Sequence, residues 1–187
     1  MLNLPEKIII FDTEYTAWKG SIERNWNGPN EYIEIVQIGA ILVDTKKLIE
    51  LDSLNLLIRP VKNPLLSNYF INLTGITQKD IEQKGLSYDS ALLKFFSWCK
   101  DCVIYSFGGD EIQLKKNCNL LNIDFPFENY KFIDIRDIFR ERFPDINKYQ
   151  SGSIMSMFDK KSAIRAHDGL NDVRIILEGL RELDKMT

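Results

Sequence analysis

The chain has 187 residues, 44% of them hydrophobic and 27% charged, with a formal net charge of −3 at pH 7. That length supports one sizeable core and the composition excludes a disordered chain, so a single domain over residues 1–187 is expected. An acidic chain cannot coat nucleic acid through a broad basic face, but a narrow site whose positive charge comes from bound metal ions stays open. No apolar run is long enough to span a bilayer, and residues 1–7 lack a signal peptide's basic start and cleavage site. A cytoplasmic protein without a membrane partner is therefore expected. Cys99, Cys102 and Cys118 are too few for a disulfide framework. Cys99 and Cys102 form a C-x-x-C, but a zinc site needs two further ligands and only Cys118 and a single histidine remain, so burial is expected instead.

The run Lys7-Ile8-Ile9-Ile10-Phe11 ends abruptly in Asp12-Thr13-Glu14. Continuous β-branched apolarity predicts a strand buried on both faces. Because side chains alternate along a strand, Asp12 and Glu14 project from one face at its end and call for a cation between them; hard ions such as Mg²⁺ suit such oxygens. Tyr15 and Trp18 stand at the base of a polar loop over residues 19–31, where they either stack on a base or close the core. Residues 32–44 and 51–58 are apolar and β-branched on either side of a Lys-rich turn, which predicts a three-stranded antiparallel meander that Pro60 and Pro64 bring to an end.

Thr77 is placed to cap a short helix whose third residue is Asp80, a capping-box variant. Helical spacing of Leu92, Leu93, Phe95, Phe96 and Cys99 predicts a core-facing helix over 88–100. A strand at 102–105 leads through Ser106-Phe107-Gly108-Gly109-Asp110 to a helix at 111–121. Asp110 thus sits either as an N-cap or at the strand-to-helix junction where open α/β sheets place ligand groups. A strand at 131–135, helices at 136–143 and 153–158, and a basic loop over 160–165 follow. The last helix spans 169–184, with Leu170, Val173, Ile176, Leu177, Leu180 and Leu183 on its buried face. Asp172 lies about 40° from Ile176 at 100° per residue, partly buried and in want of a cation or donor. Five residues earlier stands His167, the only histidine.

Asp12, Glu14, Asp110, His167 and Asp172 form an ordered set in which each acid lies at the end or edge of an apolar element. Four carboxylates suit two divalent ions about 4 Å apart for an in-line phosphoryl displacement. A histidine titrating near an unperturbed value of about 6.5 suits removal of the attacking water's proton.

The set resembles the DEDDh exonuclease superfamily, the group of polymerase proofreading subunits and ribonuclease T. Its first motif is a strand ending in D-x-E, here Asp12-Thr13-Glu14; its second supplies one Asp, here Asp110; its third is H-x-x-x-x-D, here His167 to Asp172. The resemblance implies an α/β, ribonuclease H-like fold, with a mixed central sheet of antiparallel meander plus parallel strands flanked by helices. It implies Asp12, Glu14, Asp110 and Asp172 as ligands of two divalent ions, Mg²⁺ or Mn²⁺, and His167 as general base. The implied activity is 3′-to-5′ exonucleolytic hydrolysis of single-stranded RNA or DNA from its 3′ end, releasing nucleoside 5′-monophosphates.

A finer likeness, carried by residues 12–18, 34–40, 73–77 and Gly169, is to the histone-mRNA exonuclease branch and bacterial sporulation-inhibitor proteins. It implies that the backbone around Glu14 to Thr16 and the Leu73 to Ile76 segment cradle the terminal nucleotide, with Thr13, Tyr15, Thr16, Thr74, Gly75, Ile76 and Phe107 as its binding residues. Phe107 stands where that branch usually has Trp, and residues 106–111 are one residue shorter than in some members, which makes Glu111 a rival to Asp110. The spacing to Leu114 and Cys118 favours Asp110. Residues 12–16 also resemble the D-x-D-x-T start of haloacid-dehalogenase-type phosphatases, but Glu14 replaces the second Asp and no later D-D pair follows. A non-catalytic binding module on the same fold would leave the clustered acids with nothing to neutralise them.

Overall fold

In the computed structural model, which describes residues 2–125 and 130–186, the first apolar run forms strand β1 (Lys7–Tyr15). Strands β2 (Ile35–Asp44) and β3 (Ile49–Leu57) continue from it as the expected antiparallel meander. Strands β4 (Val103–Ser106) and β5 (Phe132–Asp134) run parallel on its other side. The sheet order is β3-β2-β1-β4-β5, so β1 is central.

Residues 32–34 stay outside β2 because Glu34 turns inward. Its buried carboxylate accepts the backbone N–H groups of Val61, Lys62 and Asn63 at 2.6, 2.8 and 2.6 Å. The loop that carries Pro60 and Pro64 is thus fixed to the sheet by hydrogen bonds to an internal charge.

The helices are α1 (Asn68–Thr74), α2 (Gln78–Lys84), α3 (Tyr88–Cys99), α4 (Asp110–Leu121), α5 (Arg136–Arg140) and α6 (Gly169–Asp184). The capping box of α2 is present, with Thr77 and Asp80 bonding each other's backbone N–H. Helix α1 has no counterpart in the sequence reading. Ser67 caps its start by accepting from Phe70 N–H, Gly75 closes it at φ +81°, and only Phe70 and Thr74 are buried, too few to print an apolar period. Helix α4 starts at Asp110 with Gly109 as its cap, so Asp110 is not the N-cap. Helix α5 stops at Arg140, short of residue 143, and the helix expected at 153–158 is a 3-10 segment, Ser151–Phe158. No described helix is long and apolar enough to cross a membrane.

Strand β1 is buried on both faces, and its alternation splits the core. Ile8 and Ile10 pack with Val173, Ile176, Leu177 and Leu180 of α6. Ile9 and Phe11 pack with Phe95 and Phe96 of α3 and with Leu114 and Cys118 of α4. Cys99 and Cys118 are buried here, and Cys102 is half-buried.

The start of α6 touches the sheet. A Cβ on Gly39 would lie 2.1 Å from Leu170 N and 2.2 Å from Gly169 C, so backbone meets backbone with no room for a side chain. Two residues along β2, Gln37 clamps the same turn: its Oε1 accepts Gly169 N–H at 2.8 Å and its Nε2 donates to Asp168 Oδ2 at 3.0 Å. Asp168 in turn caps α6 by accepting Asn171 N–H at 3.1 Å. Replacing Gly39 by Ala should lower stability by about 1–3 kcal/mol, the usual cost of forcing extra volume into a packed site. The urea midpoint should fall at unchanged m-value, and an unchanged midpoint would show that the helix can stand off freely.

Candidate active site

The even positions of β1 point toward α6. Asp12 and Glu14 therefore continue the row of Ile8 and Ile10 and meet Asp172, one turn into that helix. One carboxylate oxygen from each of the three lies within 4.8 Å of the others. Asp12 and Asp172 are buried and Glu14 is half-buried. The odd positions point the other way. Thr13 meets the first residue of α4, donating its N–H at 3.1 Å and its hydroxyl at 2.6 Å to Asp110 Oδ1. Both bonds fall on Oδ1, which leaves Oδ2 available to the cleft. Asp110 stands outside the three-acid cluster but lines the same cleft of about 410 Å³. Glu111 does not; it pairs with Lys115 one turn along α4.

Asp172 is held from two sides. Its Oδ1 accepts the backbone N–H of His167 at 3.1 Å, and its Oδ2 accepts the Ser151 hydroxyl at 3.3 Å. The His167 backbone is left-handed, φ +64°, and its side chain is exposed on the cleft wall. Gly152 lies against both: a Cβ there would come within 2.6 Å of Ala166 Cβ and 3.1 Å of Asp172 Oδ1.

Burial pushes all four carboxyls up. Asp12 rises well above the ordinary range, through burial first and then through the charges of Asp110, Glu14 and Asp172. Glu14 is pushed up to about 8, by burial and then by Asp172, Asp168 and Asp110. Asp110 is pushed up to about 6 by burial, against the two bonds from Thr13. Asp172 is pushed up to about 6 by burial, against the His167 N–H and Ser151. Among the described residues no Lys or Arg forms an ion pair with any of them. Clustered, desolvated carboxylate oxygens without a partner cation are the donor set that hard divalent ions such as Mg²⁺ or Mn²⁺ take.

Of the residues expected around a terminal nucleotide, Thr13, Tyr15 and Phe107 line the cleft, and Thr16, Thr74, Gly75 and Ile76 do not. The Thr16 hydroxyl donates to Tyr32 O at 2.5 Å and accepts Glu34 N–H at 3.0 Å. The Thr74 hydroxyl donates to Phe70 O and accepts Ile76 N–H, at 3.0 and 3.1 Å. Gly75 closes α1, and Ile76 is buried with Val36, Phe70 and Ile81.

The apolar part of the cleft includes Leu73, the first residue of the segment expected to cradle the nucleotide, and also Ile22, Trp26 and Tyr69, none of which the sequence marks by spacing. Trp26 packs on Tyr15 with ring centroids 5.5 Å apart and donates its indole N–H to Thr16 O at 2.9 Å. Trp18 lies away from the cleft, in a second hollow with Pro29, Lys62, Pro64 and Leu65.

This arrangement of D-x-E, Asp110 and the His167–Asp172 pair coincides with a match to the family model for the RNase_T exonuclease domain over residues 9–180. The chain belongs to the RNase_T exonuclease family. Rat 3′-5′ exoribonuclease 1 is 27% identical over 183 residues, covering 90% of this chain and 50% of the rat protein. Snipper, a 3′-5′ exonuclease of Drosophila melanogaster, is 25% identical over 195 residues, covering 89% of this chain and 65% of the fly protein. The chain thus spans about half the length of the rat exoribonuclease.

The nuclease domain of 3′hExo, a DEDDh family member solved bound to rAMP, superposes with a TM-score of 0.82 at 23% identity, over 99% of this chain and 95% of that one. Cell-death related nuclease 4 superposes at 0.76 and 20% identity, over 97% and 64%. The RNase_T fold is therefore the ribonuclease H-like exonuclease fold, and DEDDh exonucleases use two divalent metal ions. The phosphatase likeness of residues 12–16 and the non-catalytic module find no support beside this match.

The raised carboxyls fix the sign of a pH effect. With a folded value near 8 against an ordinary 4.5, Glu14 keeps a proton in the folded state that the unfolded chain releases. Stability of the metal-free protein therefore falls as pH rises through that window, with Asp110 and Asp172 adding to the fall between their ordinary 3.8 and about 6. In a chelator, Tm should drop by several degrees from pH 5 to pH 8, and millimolar Mg²⁺ should remove most of the drop by binding the folded state alone. A Tm that is flat or rising over that range in chelator would contradict the mutual burial of these acids.

Proposed function

We propose that this chain is a metal-dependent 3′-to-5′ exonuclease that hydrolyses single-stranded nucleic acid, RNA first, from its 3′ end and releases nucleoside 5′-monophosphates. The observation that carries the reading is the convergence of Asp12, Glu14 and Asp172 within 4.8 Å beside Asp110 and His167 in one cleft. RNA is favoured because the rat, mouse and human relatives are named exoribonucleases.

Asp12, Glu14, Asp110 and Asp172 would hold two divalent ions. When bound, such ions polarise the phosphate, lower the pKa of an attacking water and stabilise the leaving oxygen. The other roles fall to this chain's own groups. A ring nitrogen of His167 accepts the proton of the attacking water. The bond from His167 N–H to Asp172 Oδ1 ties the base to a metal ligand, so the two keep their spacing when the cleft fills. Tyr15, Phe107 and Tyr69 offer flat faces to the terminal base, each stacked base contributing about 1–3 kcal/mol whatever its identity. That grip requires an unpaired end, since a base still stacked in a duplex presents no free face.

His167→Asn tolerates the left-handed backbone but cannot serve as base, so kcat should fall about 10²- to 10⁴-fold while the Mg²⁺-dependent rise in Tm persists. Asp12→Asn removes a charged ligand and should abolish both the activity and that rise. A His167→Asn protein that cleaves at the wild-type rate at neutral pH would remove histidine from the mechanism. End-labelled RNA and DNA oligomers with Mg²⁺ or Mn²⁺ should be shortened stepwise from the 3′ end, single strands faster than blunt duplex. Equal rates on the two would defeat the stacking account.

A further inference from the structure

The cleft has to receive a polyanion past four carboxylates, and among the described residues that line it Arg136 is the only Lys or Arg. This residue opens α5, one intervening residue beyond the end of β5, and packs on Phe107. Its Nε donates to both oxygens of Asp134, at 3.0 and 2.9 Å, and its Nη2 to Asp134 Oδ2 at 2.6 Å. No described residue accepts a hydrogen bond from Nη1. Arg136 lines the cleft, and Asp134 is not among the residues that do.

Two neighbours lie against the guanidinium. The turn between β4 and α4 passes beside it at Gly108, φ +104°, where a Cβ would come within 3.4 Å of the guanidinium carbon and Nη2 and 3.7 Å of Nη1. On another side the guanidinium lies over the Phe107 ring, 5.8 Å from its centroid. A guanidinium held flat by a fork to one carboxylate has lost its rotational freedom before substrate arrives, and its remaining N–H groups suit a phosphate oxygen.

We infer that Arg136 is a specificity-determining residue: Nη1 donates to a non-bridging oxygen of a strand phosphate upstream of the bond that is cut. The cut phosphate itself belongs beside Asp12, Glu14 and Asp172. A phosphate further along the strand passes Arg136, beyond the terminal base that rests against Phe107. The residue would thereby count strand length, favouring ends with at least one intact upstream phosphate over a lone dinucleotide's bare 5′ hydroxyl. The inference rests on the exonuclease reading and deepens it.

The test is a chemical cycle on the purified full chain with Mg²⁺. The substrates are short single-stranded oligomers, each carrying one uncharged methylphosphonate at a different linkage upstream of the cut. On the unmodified strand Arg136→Gln should lower kcat/KM about 10- to 100-fold, the loss of one hydrogen bond to a charged group, mainly through KM. The slope of log KM against log salt should fall by about 1. On one oligomer of the set the penalty should vanish, because the charge that Arg136 reads is already gone. Arg136→Lys, which keeps the charge without the fork, should show a smaller penalty that vanishes on the same oligomer, and it carries the test if Arg136→Gln does not fold. An equal penalty on every oligomer would make Arg136 a structural partner of Asp134 and overturn the inference, as would no penalty at all. Wild-type protein that cuts no strand would overturn the exonuclease reading and this inference with it; wild type that cuts, with Arg136→Gln cutting equally, would overturn this inference alone.

Discussion

How near α6 can come to the sheet decides whether there is a site at all. Gly39 stands directly across from Asp12 in the β1–β2 register, and Gln37 across from Glu14. The first turn of α6 is laid over those two residues of β2, backbone on backbone at Gly39 and hydrogen-bonded at Gln37. Asp172 follows within that turn, which is why it falls beside the acids of β1. Had any side chain stood at position 39, the helix would ride higher and Asp172 would leave the reach of a shared ion. The family's separated motifs are brought together by the absence of a methyl group.

The same closeness creates an electrostatic load that the protein relieves unevenly. Asp110 and Asp172 each receive two hydrogen bonds, from Thr13 and from His167 and Ser151, and both settle near 6. Burial and the neighbouring acids act on Glu14 without such relief, and it stands near 8. Thr13 and Ser151 thus do more than fix rotamers. They keep two of the four ligands close to their charged form at neutral pH, so that an arriving cation displaces few protons and finds a site already partly anionic.

Much of this was legible in the sequence because it rests on period and adjacency. The apolar run, the two-residue spacing of Asp12 and Glu14, the helix over 169–184 and the Thr77–Asp80 box each read correctly from local rules. What did not read were partnerships decided by distant backbone. Whether Asp110 is a cap or a site residue depends on Thr13, 97 positions away. Thr16, Thr74 and Ile76 belong to a family-like pattern that concerns the backbone there, and that their side chains engage nearby carbonyls, amides and core neighbours is not something residue type reveals. Helix α1 is too short to show a period, and Arg136 opens a helix of five residues, so nothing in spacing marked Tyr69 or Arg136 as part of a cleft.

Glu34 carries a different consequence. Three successive amides aimed at one point make a cradle of the kind that gathers phosphate in many proteins. Here that cradle, built by Val61, Lys62 and Asn63, is filled from inside by a carboxylate of the same chain. A loop that would otherwise offer passing nucleic acid a decoy berth is closed to it, and the anion that closes it cannot dissociate. Discrimination in such a molecule comes as much from the attractive surfaces it has sealed as from the one it leaves open.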